Sequence, residues 1–235
     1  MATLFQRSTI GALLAGIFDG DETVGELLKR GDFGLGTFNS LDGEMVILDG
    51  RCYHVRSDGS AELADLTNHT PFAAVTHFAA EHQFAVDTPM SRADLSRRID
   101  AAEYSANLTI AVCITGHFSR IRTRTVSAQT KPYPSLDEAS RNETEIELKD
   151  VEGTLVGFRT PEFEHSIGVA GYHLHFLDST RTRGGHMLDF TLSRGEVKLM
   201  ELSEIHLSLP TSGAFLTANL DPENGAAQIR HAEST

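Results

Sequence analysis

Cysteine is scarce in this 235-residue chain, at Cys52 and Cys113 only. Two thiols make no disulfide framework, and both sit in strand-like apolar runs, so they read as buried thiols. Long apolar runs are missing too. No segment approaches the roughly 18 apolar residues of a membrane span, so no membrane partner is expected. Ile10–Phe18 is short, follows a lone Arg7, and runs into Asp19-Gly20-Asp21-Glu22 without a small-x-small cleavage site. It reads as an amphipathic first helix rather than a signal core, and a cytoplasmic chain is expected. Basic residues are few, with 20 Lys and Arg against 33 Asp and Glu, a formal net charge of −13. That balance argues against nucleic acid, which wants a basic surface. A small anionic substrate is still compatible, because the field inside a pocket can oppose the global charge.

Several familiar motifs are absent as well. Gly31, Gly34 and Gly36 stand in the wrong order for a dinucleotide fingerprint, and Asn39 takes the place of its third glycine. Asp19-x-Asp21-x-Thr23-Val24 lacks the glycine of a calcium loop at the sixth position. There is no Walker A loop, Gly-x-Ser-x-Gly elbow or Cys-x-x-Cys pair. The chemistry is then left to a metal, assisted by carboxylates and arginines.

What is present is a histidine pattern. In Gly171-Tyr172-His173-Leu174-His175-Phe176 the apolar residues alternate with two histidines, the period of a β-strand with both imidazoles on one face. Residues 177–185 read as a hairpin loop whose Gly184-Gly185 pair supplies the positive φ of the turn, so His186 opens the returning strand near His175. Three neutral imidazoles converging from rigid strands, with a coordination position left open, is how a catalytic zinc site is built. The plain alternative is a set of structural or surface histidines.

The rest of the chain reads as mixed α and β. Residues 9–18 and 22–30 look helical, Gly31 being a plausible C-cap of the second helix. Strand-like runs at 35–41, 44–48 and 51–56 are punctuated by Asp42-Gly43, Asp49-Gly50 and Asp58-Gly59, which are hairpin signals. A strand-like stretch covers 72–86. Ser91 with Asp94 opens a helix reaching about residue 104. In 107–126, Leu108, Ile110, Val112 and Ile114 share one face. A loop with a short helix fills 130–142. Residues 144–158 and 165–209 are mostly strands, and 211–235 are a short helix and a polar tail.

Gly31-Asp32-Phe33-Gly34-Leu35-Gly36-Thr37-Phe38, Leu41-Asp42-Gly43-Glu44-Met45 and Leu48-Asp49-Gly50 resemble the N-terminal signature of the α-acetolactate decarboxylases. Thr70-Pro71-Phe72-Ala73, Arg122-Thr123-Arg124-Thr125-Val126, Gln129, Lys131-Pro132-Tyr133 and the histidine hairpin follow in the family's order, so the resemblance runs from about Ser8 to the C-terminus.

The resemblance implies a β-rich α+β fold in two lobes, with a mixed sheet and a barrel-like sheet carrying the metal hairpin. The lobes are expected at 1–150, contributing Glu44 and Arg124, and at 151–235, binding the metal and ending in the tail. A homodimer that extends a sheet is implied too. So are zinc on His173, His175 and His186, and conversion of 2-acetolactate to acetoin and carbon dioxide through a metal-stabilised enediolate. Residue by residue, Glu44 matches a functional carboxylate of the family, and its expected role is to bind the substrate hydroxyl and handle protons. Arg124 matches the family's site arginine, with Arg122 as its alternative, and because an arginine effectively never deprotonates it is expected to clamp the substrate anion. Glu233 matches a C-terminal carboxylate, delivered if the tail after Asp221-Pro222 folds over the pocket. Thr37, Leu41 and Val126 resemble pocket-wall positions.

Two other readings stay open. A cupin-like metal oxygenase also carries His-x-His on a strand, but it wants a Glu where this chain has Ser179. A non-catalytic metal-binding module would keep the histidines without needing Glu44 and Arg124 beside them.

Overall fold

The computed structural model describes residues 2–102, 105–141, 143–211 and 213–220. In chain order the first elements are β1 (Thr3–Arg7), α1 (Ile10–Leu14), β2 (Glu22–Thr23), α2 (Val24–Leu27), β3 (Phe33–Thr37), β4 (Glu44–Leu48), β5 (Arg51–Val55), β6 (Ala61–Leu63), β7 (His69–Thr70) and β8 (Ala73–Thr76). Then come β9 (His82–Val86), β10 (Met90–Ser91), α3 (Arg92–Asp100), β11 (Thr109–Thr125), α4 (Leu136–Ser140), β12 (Thr144–Thr160), β13 (Gly171–Asp178), β14 (Gly184–Leu202), β15 (Glu204–Ser208) and α5 (Gly213–Thr217).

Two sheets carry the fold. The first has seven strands in the order β15-β1-β8-β3-β4-β5-β6. It is mixed, because β1 runs parallel to β15 while its other pairings are antiparallel. In the second, β14 pairs β11, β11 pairs β12, β12 pairs β13, and β13 returns to pair β14. This closes a four-strand circuit, the expected barrel-like sheet with the histidine hairpin as its closing seam. β9 and β10 add to other parts of the long, bent β14.

Side-chain alternation along β11 explains the layering. Ala111 and Cys113 face the first sheet and pack with Phe33, Leu35 and Val46, joined at one end by Ile10 and Leu13 of α1 and Leu136 of α4. Ile110, Val112 and Ile114 face the other way, against Leu174 and Phe176 and against Leu95 and Ile99 of α3. The outer face of the first sheet buries Met45 and Ile47 under Val24 and Leu27 of α2. Fully burying one such side chain is worth about 1.5–3 kcal/mol, so these layers supply most of the drive to fold.

Local chemistry accounts for several boundaries. Asp49 and Gly50, with φ of 53° and 71°, form the expected two-residue turn between β4 and β5. Asp42-Gly43 instead ends a longer connection that contains a 3-10 turn at Asn39–Leu41. The first two helices are shorter than the apolar pattern suggests. Gly16 turns left-handed at φ 78° after α1, and a Cβ there would meet the Pro134 carbonyl at 2.6 Å. Glu22-Thr23 pairs with His69-Thr70, and Thr23 caps α2 through a capping box with Glu26. The stretch 72–86 is two strands, β8 and β9, in different sheets. The chain passes from the first sheet to the second at residues 77–81 and returns at Ser203, while residue 150 lies inside β12.

Candidate functional site

His173 and His175 project from one face of β13, and His186, the third residue of β14, is the cross-strand partner of His175. Their ring centroids lie 5.0 to 5.4 Å apart. One ligand nitrogen from each falls within 4.8 Å of the others, and all three side chains are buried. The hairpin that joins them is built around Asp178, whose Oδ1 accepts from the backbone N–H groups of Thr182 and Arg183 at 2.8 and 2.9 Å. The left-handed bend falls on Arg181, at φ 60°. The Gly184-Gly185 pair has a different task from the one expected. A Cβ on Gly184 would meet the Phe176 carbonyl at 2.4 Å, and one on Gly185 would meet the Arg124 carbonyl at 2.8 Å. Both glycines let β14 close against its neighbours, and only Gly185, at φ 154°, has a positive φ.

The tautomer of His175 is determined by its surroundings. Its Nδ1 lies 2.8 Å from the Met45 carbonyl oxygen, which can only accept, so Nδ1 carries the proton and donates. Nε2 is left with its lone pair, buried and without a hydrogen bond. Burial pushes the His173 imidazole well below the usual histidine range, with His175 and Arg124 adding to the effect. Burial likewise lowers His175 to about 4, against the Met45 hydrogen bond that opposes the shift. Neutral rings, one held by a carbonyl on its far nitrogen, are what a divalent ion requires of its ligands. The donor set therefore fits a metal ion.

Glu44 opens β4 opposite Thr37, and its Oε2 is 3.4 Å from His175 Nε2. Thr37 donates from Oγ1 to the Gly43 carbonyl at 2.7 Å, which pins the residue before Glu44. Arg124 lies near the end of β11 as the cross-strand partner of His186. It is only 4% exposed and pairs with Glu143 at 2.5 Å. Arg122 behaves differently: it is half-exposed, pairs with Glu145 at 2.7 Å, and does not line the cavity.

One cavity gathers the three histidines, Glu44, Arg124, Thr37, Leu41 and Val126. Glu233 lies outside the described residues. Apolar walls not anticipated from the sequence come from Ile10 and Leu13 of α1, Phe72 and Leu136 of α4. Leu41 reaches the cavity from an unusual turn. Ser40 and Leu41 are both left-handed, at φ 64° and 55°, and such residues need bracing. Ser40 is held by its N–H to the Phe18 carbonyl, by the Gln129 N–H on its own carbonyl, and by Tyr133 Oη at 2.9 Å from its hydroxyl.

Comparison with known proteins agrees with this geometry. Residues 4–222 match the family model for alpha-acetolactate decarboxylase. The alpha-acetolactate decarboxylase of Methylococcus capsulatus is 46% identical over 231 residues, covering 98% of this chain and 88% of that protein. The Klebsiella aerogenes alpha-acetolactate decarboxylase is 42% identical, covering 99% of this chain and 90% of that protein. The crystal structure of the Bacillus subtilis alpha-acetolactate decarboxylase superposes with a TM-score of 0.97 at 39% identity, covering 99% and 100% of the two chains. The chain belongs to the alpha-acetolactate decarboxylase family.

Proposed function

We propose that this protein decarboxylates 2-acetolactate to acetoin at a zinc ion held by His173, His175 and His186. The observation that carries this reading is the convergence of three buried imidazoles with Glu44 and Arg124 in one cavity with largely apolar walls. A bare metal-binding module would have no use for that carboxylate and guanidinium. Three nitrogen ligands on paired strands suit zinc.

Acetolactate carries a carboxylate, a tertiary hydroxyl and a ketone on adjoining carbons. Arg124 keeps its charge at any working pH and clamps the carboxylate. Loss of carbon dioxide sends the electron pair of the broken bond toward the ketone, leaving an enediolate. A divalent ion on the three imidazoles supplies Lewis-acid stabilisation for charge that grows on oxygen there. Glu44 accepts a hydrogen bond from the substrate hydroxyl and relays to the product carbon the one proton that the reaction takes up from solvent. Ile10, Leu13, Phe72 and Leu136 keep water from the reacting atoms, which strengthens every charge interaction in the cavity.

We place the protein in the cytoplasm as a homodimer. Two buried free thiols accord with a reducing compartment, and no helix among the described residues is long and apolar enough to cross a membrane. The first sheet ends at β6 and β15, where Leu63 and Ile205 are exposed and offer edges for pairing. The direct test is acetoin release from acetolactate by purified protein, with elemental analysis of the same sample. One zinc per chain with acetoin formation is expected. Stoichiometric zinc without turnover would reduce the protein to a metal-binding module.

A further inference from the structure

β11 carries arginines at alternate positions, Arg120, Arg122 and Arg124, and the facing segment carries Glu143, Glu145 and Glu147 with the same spacing. They pair diagonally. Arg120 meets Glu147 at 2.8 Å, Arg122 meets Glu145 at 2.7 Å, and Arg124 meets Glu143 at 2.5 Å. The rungs differ in environment. Side-chain exposure is 38% and 39% in the first, 35% and 53% in the second, and only 5% and 18% in the third. Exposed pairs of this kind contribute little, whereas a buried guanidinium depends on its partner. Only the third rung has its arginine in the cavity wall.

We propose that Glu143 is a positioning residue for substrate binding, an inference that rests on the decarboxylase reading above. Glu143 does not line the cavity; it holds Arg124 through Nη1 from the side of β12. A guanidinium binds a carboxylate best through two parallel hydrogen bonds, so the plane of the group matters as much as its charge. Arginine has four rotatable bonds, and Glu143 fixes their setting before substrate arrives, which removes an ordering cost from binding. Glu143 is itself placed by the end of α4, its N–H donating to the Ser140 carbonyl at 3.3 Å. Ser140 lines the cavity, so the clamp and part of the wall share one support. The substrate carboxylate is fully charged in the ground state and leaves as neutral carbon dioxide. Misplacing its clamp therefore weakens binding more than it slows the chemical step.

The test compares Glu143→Gln, Glu143→Asp and the outer-rung control Glu145→Gln. Metal content, melting temperature, KM and kcat are measured. So is the Kd, by calorimetry, of 2-hydroxy-2-methylpropanoate, which has the hydroxy acid of the substrate but no ketone and cannot react. For Glu143→Gln we expect unchanged metal, KM and Kd raised about 10-fold or more, and kcat within about 3-fold of wild type. Glu143→Asp keeps the charge but shortens the reach, and should raise both constants by about 3-fold. Glu145→Gln should match wild type throughout. Wild-type KM and Kd in a folded Glu143→Gln protein overturn the assignment, as does an equal effect from Glu145→Gln. If Glu143→Gln does not fold, wild-type constants in Glu143→Asp overturn it instead. Wild-type turnover of acetolactate separately decides the decarboxylase reading, because the Glu143 comparison is read as ratios between variants.

Discussion

The cavity has two halves built by different means. The histidines and Arg124 sit on β11, β13 and β14, strands locked into a closed circuit with neighbours on both sides. The opposite wall is made by five-residue helices and a left-handed turn: Ile10 and Leu13 on α1, Leu136 on α4, and Leu41 after Ser40. Helices that short have no stability of their own and keep their shape through caps and burial. The histidine half is thus held by ladder hydrogen bonds, the wall half by side-chain packing and a few local contacts. The wall can be altered without moving the strands that carry the imidazoles, whereas those strands cannot shift without opening the sheet.

The sharpest way to break this contrast is at the strands. His175→Ala should abolish metal binding and turnover while the wall stays in place, checked by elemental analysis and an acetoin assay. Full metal and activity in that variant would remove the site. Glu44→Gln, at the junction of the halves, should keep the fold and metal and lower kcat by roughly 100-fold. A wild-type kcat would take Glu44 out of the reaction.

Acid should separate the halves next. In metal-stripped protein the folded-state pKa of both His173 and His175 is lowered from 6.5, that of His175 to about 4. The unfolded chain therefore binds these protons at a higher pH than the folded one. Their contribution to stability is complete above about 6.5 and is lost as pH falls from there toward 4. The melting temperature of chelated protein should drop across that window, and less steeply in His175→Gln. Parallel melting curves for the two would contradict the assigned burial. The mildest effect belongs to the wall. Ser135 caps α4 in a capping box with Glu138, and Ser135→Ala should cost about 1 kcal/mol of stability. It should raise KM slightly and leave metal content alone, as shown by thermal melts beside steady-state kinetics.

The two halves also differed in how far they could be read from the chain. The histidine hairpin was legible because strand period is local: alternation puts His173 and His175 on one face, and a short loop returns His186 to them. Asp49-Gly50 announced its turn for the same reason. The wall residues Ile10 and Leu13 looked like ordinary helix apolars, since nothing local says which face meets a cavity. β1 was not anticipated, because its parallel partner β15 lies some 200 residues away in sequence. The stretch 72–86 read as one strand because its apolar character does not reveal a change of sheet. The Arg and Glu spacing of the ladder stood in the sequence, but residues 125–142 separate the two runs, so their register could not be counted across.

The Met45 carbonyl has a wider consequence. All the imidazoles come from one local hairpin, so that segment could gather an ion as soon as it emerges. The nitrogen His175 presents, however, is chosen by β4 of the other sheet, 130 residues earlier in the chain. The nitrogen that His175 presents therefore depends on contact between the two sheets as well as on the hairpin. An ion captured by the isolated hairpin would be free to take either nitrogen, and only docking of the two sheets proofreads that choice.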